Sequence, residues 1–151
     1  MIFQRQPDEF ELPIIPLKIQ PAATGPGTYP MDIKQTQKYY GSLTAEDLCS
    51  CDYCRNYYKE IKGTYPILAD CLQQAGIDIE KPFDTWPLDP DEDGYIEYIT
   101  VQYVVMGDPL NFRETDISGV HICLAESHPM TDISDNHFVI EISPIKLKWT
   151  I

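Results

Sequence analysis

Three cysteines fall within six positions of the chain, Cys49, Cys51 and Cys54 in "LCSCDYCRNYY". Zinc takes four ligands in a tetrahedron, usually Cys or His, and soft thiolates suit it well. A CxCxxC cluster supplies three, with Cys71, Cys123 or a histidine as the candidate fourth. Cys51 and Cys54 also carry the CxxC spacing of dithiol redox sites. The local backbone decides between these uses and a purely structural one. On a helix, Cys51 and Cys54 are about 60° apart, while Cys49 lies about 160° from Cys51 and about 140° from Cys54. The three share a metal only if the chain around Cys49 is not helical. Ser50 or Asp52 would then be the N-cap, and a thiol at the helix N-terminus would have a lowered pKa.

The flanking pattern favours the other picture. Thr44 followed by Asp47 resembles a capping box with Asp in place of Glu. Leu48, Cys51, Cys54, Tyr58 and Ile61 then recur at helical spacing down to Gly63. A helix starting at Thr44 buries Cys51 and Cys54 on one stripe and turns Cys49 away. On that reading no cofactor is expected, and zinc at Cys49, Cys51 and Cys54 is the alternative. A redox CxxC would also want a strand leading into it, and none is read there.

A second constellation is acidic. "DPDEDGYI" resembles the start of an EF-hand calcium loop, with Asp89, Asp91 and Asp93 at the first three ligand positions and Gly94 at the sharp turn. The pattern then fails, because the terminal position, normally a bidentate Glu, is Thr100. These carboxylates are therefore weak calcium candidates beside the simpler reading, an acidic loop leading into a strand. Glu97 is the nearest residue that would complete the set.

Catalytic signatures are otherwise missing: there is no HExxH, GxSxG, GxGxxG or P-loop pattern. His121 and Cys123 share one strand face, the spacing of a Cys–His pair, with no visible orienting partner. His128 sits before Pro129 in a turn and His137 opens a strand. No catalytic residue is assigned, although a thiol enzyme using Cys51–Cys54 or Cys123 stays among the alternatives.

The elements that must position these residues are read from period and punctuation. Residues 1–31 are proline-rich and irregular, with an edge strand in "FELPIIPLKIQP" and a loop in "AATGPGTYP". "DIKQTQKYYG" predicts a short helix with Asp32 as N-cap. "TYPILADCLQQAGI" predicts another, with Thr64 as N-cap, Pro66 in the first turn, and Ile67, Leu68, Cys71, Leu72 and Ala75 on the apolar stripe. Gly76 supplies its left-handed cap. After residue 82 the period becomes two. Strands are expected in "YIEYITVQYVVM", "GVHICLAE", "HFVIEIS" and "IKLKWTI", with Pro144 at a bend or bulge. Helices first and strands afterwards predict a single α+β domain over 1–151, two or three helices on one face of a mostly antiparallel sheet.

Charge bounds the partners. The chain has 24 acidic residues against 11 basic ones, a formal charge of −13. That repels phosphate backbones and anionic membrane surfaces, so neither nucleic acid nor membrane is an expected partner, whereas a basic protein is. Ten tyrosines add anchors of the kind that bury area and keep a polar tip. "MIFQRQPDEFELP" has no basic start followed by an apolar stretch, and no run of 18 apolar residues follows, so neither a signal peptide nor a membrane span is expected. Five cysteines without a secretory signal suggest reduced thiols in a cytoplasm.

The combination of "CSCDYCRNYY", "DIEKPFDTWPLDPDEDGYIEYITVQYVV" and "ISPIKLKW" resembles a family of small uncharacterised proteins from Gram-positive bacteria. The resemblance implies a bacterial cytosolic origin and carries no activity. The expected function is that of a non-enzymatic protein-binding module of immunity or regulatory type, with a zinc protein and a thiol enzyme as alternatives.

Overall fold

The structure, a computed structural model, describes residues 31–110 and 112–151. The strand expected in residues 10–21 and the loop at 22–30 lie outside these residues. Among the described residues are three α-helices, a 3-10 turn and six strands joined in one antiparallel sheet. The fold is α+β, as the order of periods predicts.

The first helix, α1 (Ile33–Ser42), starts where Asp32 accepts the Gln35 N–H on its side chain at 2.9 Å. The second, α2 (Asp52–Thr64), and the third, α3 (Pro66–Gln74), meet at a corner around Tyr65. Thr64 is not the N-cap of α3: its hydroxyl donates to Glu60 O at 2.8 Å and closes the end of α2 instead. Pro66 occupies the first turn of α3, where its missing N–H costs nothing. Gly76 ends the helix at φ +90°, and the Ile77 N–H folds back to Leu72 O at 3.0 Å. No other residue fits at Gly76, because a Cβ there would meet Ile33 O of α1 at 2.7 Å. Leu68, Cys71 and Leu72 are buried as expected, but Ile67 is 67 % exposed. The stripe is narrower than its sequence, because the core touches only one side of this short helix.

The sheet is built on β2 (Tyr95–Met106). One side of it pairs with β1 (Asp84–Pro87). The other side pairs with β5 (His137–Ser143) and then β6 (Ile145–Lys148), the two meeting at Pro144 with their register against β2 unbroken. Beyond β5 lie β4 (Val120–Leu124) and the edge strand β3 (Thr115–Ile117). Because β1 reaches only Gln102, the far end of β2 has a bare edge, and α1 covers it. The Asp32 N–H donates to Met106 O, the Met106 N–H donates to the buried Thr36 hydroxyl, and the Tyr40 hydroxyl donates to Val104 O at 2.8 Å.

The core lies between the helices and the sheet, around the fully buried Tyr57, Ile61, Leu68, Leu72, Tyr98 and Tyr103. Burying one such aliphatic side chain is worth about 1.5–3 kcal/mol. The tyrosines keep their polar tips paired inside it. Tyr57 Oη donates to Tyr103 Oη at 2.6 Å, Tyr103 Oη donates to Ile79 O at 2.6 Å, and Tyr98 Oη donates to Tyr53 O at 2.6 Å.

Candidate metal centre

Thr44 and Asp47 do form a capping box, but it closes a single 3-10 turn, Ala45–Asp47. At Leu48 the backbone becomes extended, φ −104° and ψ 150°. Cys49, Ser50 and Cys51 are three weak helix formers in a row and do not carry the turn onward. The Tyr58 hydroxyl donates to Cys49 O at 2.8 Å and ties this extended segment back over α2. The helix begins instead after Cys51, which is its N-cap. The expectation of one helix from Thr44, with Cys51 on its buried stripe, is therefore corrected. Cys51 and Cys49 are exposed, Cys54 is buried, and the apolar face of α2 is Cys54, Tyr57 and Ile61.

With the chain around Cys49 non-helical, the three thiols converge. Their Sγ atoms all lie within 4.8 Å of one another, close enough to hold a metal ion. Zinc–sulfur bonds of ~2.3 Å in a tetrahedron put sulfurs ~3.8 Å apart, so a small contraction closes the set. Of the suggested fourth ligands, Cys71, Cys123 and the histidines lie outside this group.

The three sulfurs have different surroundings. Cys51 Sγ accepts the Cys54 N–H at 3.5 Å, at the positive end of α2. Burial pushes the Cys51 thiol up, but hydrogen bonds from the Cys54 and Tyr53 backbone and from the Cys49 and Cys54 side chains outweigh it, and the net shift is downward. Burial pushes the Cys54 thiol up to about 12, helped by the neighbouring Cys49 and Cys51 and opposed by Thr85, whose Oγ1 lies 3.3 Å from its sulfur. Thr85 on β1 and Tyr58 on α2 support the site, and the sequence carries no signal for either. Thr85 arrives through strand pairing, and Tyr58 acts through its hydroxyl on a backbone carbonyl.

A cavity of about 230 Å³ opens beside the thiols, lined among others by Asp47, Tyr58, Phe83 and Asp84. Neither of these carboxylates belongs to the close ligand group, and each already accepts a hydrogen bond on one oxygen. Asp47 accepts the Thr44 N–H at 2.8 Å and the Thr44 hydroxyl at 3.1 Å. Asp84 accepts the Trp86 indole N–H at 2.9 Å.

The acidic loop behaves differently. Asp91 Oδ1 accepts the N–H groups of Asp93 and Tyr95, both at 2.9 Å, and shapes the turn into β2. Asp89 Oδ1 accepts the Tyr53 hydroxyl at 2.8 Å. Asp89, Asp91 and Asp93 do not form a ligand group among the described residues. The Asp91 side chain serves the turn, and the Asp89 side chain its contact with α2.

His121 and Cys123 do not pair. The His121 ring contacts Asp116 at 2.8 Å and Glu114 at 3.5 Å. Cys123 Sγ faces Glu141 Oε2 at 4.0 Å, and burial together with Glu141, Glu114 and Glu126 pushes its thiol pKa up. His137 bonds Thr131 Oγ1 and Asp135 O, both at 2.7 Å, and pins the loop before β5. His128 packs its ring against Phe83. No helix among the described residues is long and apolar enough to cross a membrane.

Comparison of the chain with protein-family models, with curated proteins and with solved structures gives no match, so no residue's role is carried over from a relative.

Proposed function

We propose that this protein binds zinc through Cys49, Cys51 and Cys54. The observation that carries the reading is the convergence of three thiols at the start of α2. Three thiolates around Zn²⁺ leave one net negative charge, which the helix N-terminus stabilises. Three protein ligands with the fourth position open to solvent or to an added ligand is the stoichiometry of zinc sites that keep an exchangeable position. Metal analysis of protein purified without chelator tests it. One equivalent of zinc is expected in the wild type, and loss of that equivalent is expected in Cys54→Ala. Protein that takes up no zinc after dialysis against a stoichiometric excess would refute the reading.

A second reading, a protein-binding module, is favoured by Trp86, Leu88 and Ile99. All three are about half exposed, at 48 %, 47 % and 48 %, around the β1–β2 pairing. Large apolar side chains of this kind anchor interfaces, and the charge of −13 favours a basic partner. Capture from a native lysate at moderate salt should recover one stoichiometric partner, lost in Trp86→Ala. Identical recovery with that variant would remove this surface from consideration.

A further inference from the structure

Metal ligation uses three sulfurs alike, but two of these three are arranged for something more. Cys51 is exposed, while Cys54, three residues on, is only 8 % exposed. Two residues at i and i+3 inside a helix hold their Cβ atoms about 5–6 Å apart, whereas a disulfide wants about 3.5–4.5 Å. Cys51 escapes this restriction because it is the N-cap. Its backbone is extended, φ −69° and ψ 161°, and its sulfur leans over the first turn to the Cys54 N–H. An attacking reagent meets the exposed Cys51 and Cys49 from solvent, with the buried Cys54 sulfur within 4.8 Å of each, and of the two only Cys51 is held against the first turn by the Cys54 N–H. Access and placement of this kind govern which thiol is attacked and which one resolves the adduct.

We propose that Cys51 undergoes thiol–disulfide exchange with low-molecular-weight disulfides, and that Cys54 resolves the adduct into a Cys51–Cys54 disulfide, releasing the metal. In the first step Cys51 Sγ bonds to one sulfur of the reagent and the reagent S–S bond breaks. The departing thiolate takes up the proton lost by Cys51 and leaves as a thiol. In the second step Cys54 Sγ attacks Cys51 Sγ, and the remaining reagent sulfur leaves with the Cys54 proton as a second thiol. Two electrons pass from the protein to the reagent, and the dithiol becomes a disulfide. A sulfur in a disulfide is no longer a thiolate ligand, so the metal is left with Cys49 alone. Metal release rests on the zinc reading above, but the exchange itself does not.

The test uses metal-stripped full-length protein and oxidised glutathione, read by intact mass and peptide mapping. The wild type should lose two hydrogens, with the bridge mapped to Cys51 and Cys54. Cys54→Ser should instead accumulate a glutathione adduct on Cys51. Cys51→Ser, which keeps a capping oxygen, should retain its circular dichroism and react at least about tenfold more slowly, as expected where access sets the rate. A bridge that maps to Cys49, or wild-type reactivity in a folded Cys51→Ser, would overturn the proposal. A parallel run on zinc-loaded protein with a chromogenic chelator should give one metal released per bridge formed. If the protein takes up no zinc yet forms the bridge, the exchange stands and the zinc reading falls. If zinc binds but Cys51 stays unmodified in the stripped protein, the exchange alone falls.

Discussion

The sulfur of Cys51 accepts the backbone N–H of Cys54 at 3.5 Å, so the atom that caps α2 is also a ligand atom of the candidate metal centre. One side chain thus serves the start of the helix and the chemistry in front of it, and substitutions can separate the two duties. Serine oxygen is a strong N-cap acceptor and a poor partner for zinc beside thiolates. In metal-free protein, Cys51→Ser should leave stability against urea unchanged or slightly raised. Cys51→Ala should be less stable than Cys51→Ser by about 1 kcal/mol, the usual difference between serine and alanine at a cap. Both should weaken zinc binding. Equal destabilisation by Ser and Ala would show that the cap is not what Cys51 contributes.

Tyr103 carries two buried hydrogen bonds, accepting from Tyr57 and donating to Ile79 O. Tyr103→Phe strands both the Tyr57 hydroxyl and the Ile79 carbonyl, whereas Tyr57→Phe removes only a donor to an oxygen that keeps its other bond. Each stranded buried group costs about 1–3 kcal/mol. Tyr103→Phe should therefore lower stability more than Tyr57→Phe in chemical denaturation. The reverse order would mean that the Tyr103–Ile79 hydrogen bond is not what anchors this pair of hydroxyls.

Burial is the chief cause that raises the hydroxyl pKa of Tyr40, Tyr57 and Tyr103, and it lifts Tyr98 to about 12. The unfolded chain ionises tyrosine near pH ~10. Stability from these protonated hydroxyls is therefore complete below that pH and is lost as the pH rises above it. Alkaline titration followed by tyrosinate absorbance should show the exposed tyrosines ionising reversibly, and these four only as the circular dichroism collapses. Reversible ionisation of all ten tyrosines with the fold intact would contradict this.

The His121 ring donates to Asp116, and that hydrogen bond, opposed by desolvation and helped by the charges of Asp116 and Glu114, raises its pKa above the ordinary value. The charged ring is favoured in the folded state. Its contribution is present below the unfolded pKa and is lost as pH rises through the folded one. Ring-proton NMR should place the midpoint above ~6.5, the free-histidine value. Asp116→Asn should bring it down, and an unmoved midpoint would assign the shift elsewhere.

Residue types and short spacings alone determined much of the frame. Asp32 starts α1, Pro66 and Gly76 bracket α3, and the period-two stretches became β2, β4, β5 and β6. Caps and alternation act within a few residues, so they are legible one segment at a time. The strands β1 and β3, of four and three residues, are too short to show a period, and pairing with β2 and β4 creates them. The candidate site lay on the same boundary. The sequence contained the three cysteines, a condition for their convergence, and a Thr44–Asp47 signal pointing against it. That signal is real but closes one turn, because its reach ends before Leu48. What holds Cys49 near the other two thiols is the Tyr58 hydroxyl on its carbonyl, and what backs Cys54 is Thr85 from a strand 31 residues away. Contacts between elements far apart in sequence leave no periodic trace within either one, and only the packed tertiary structure decides them.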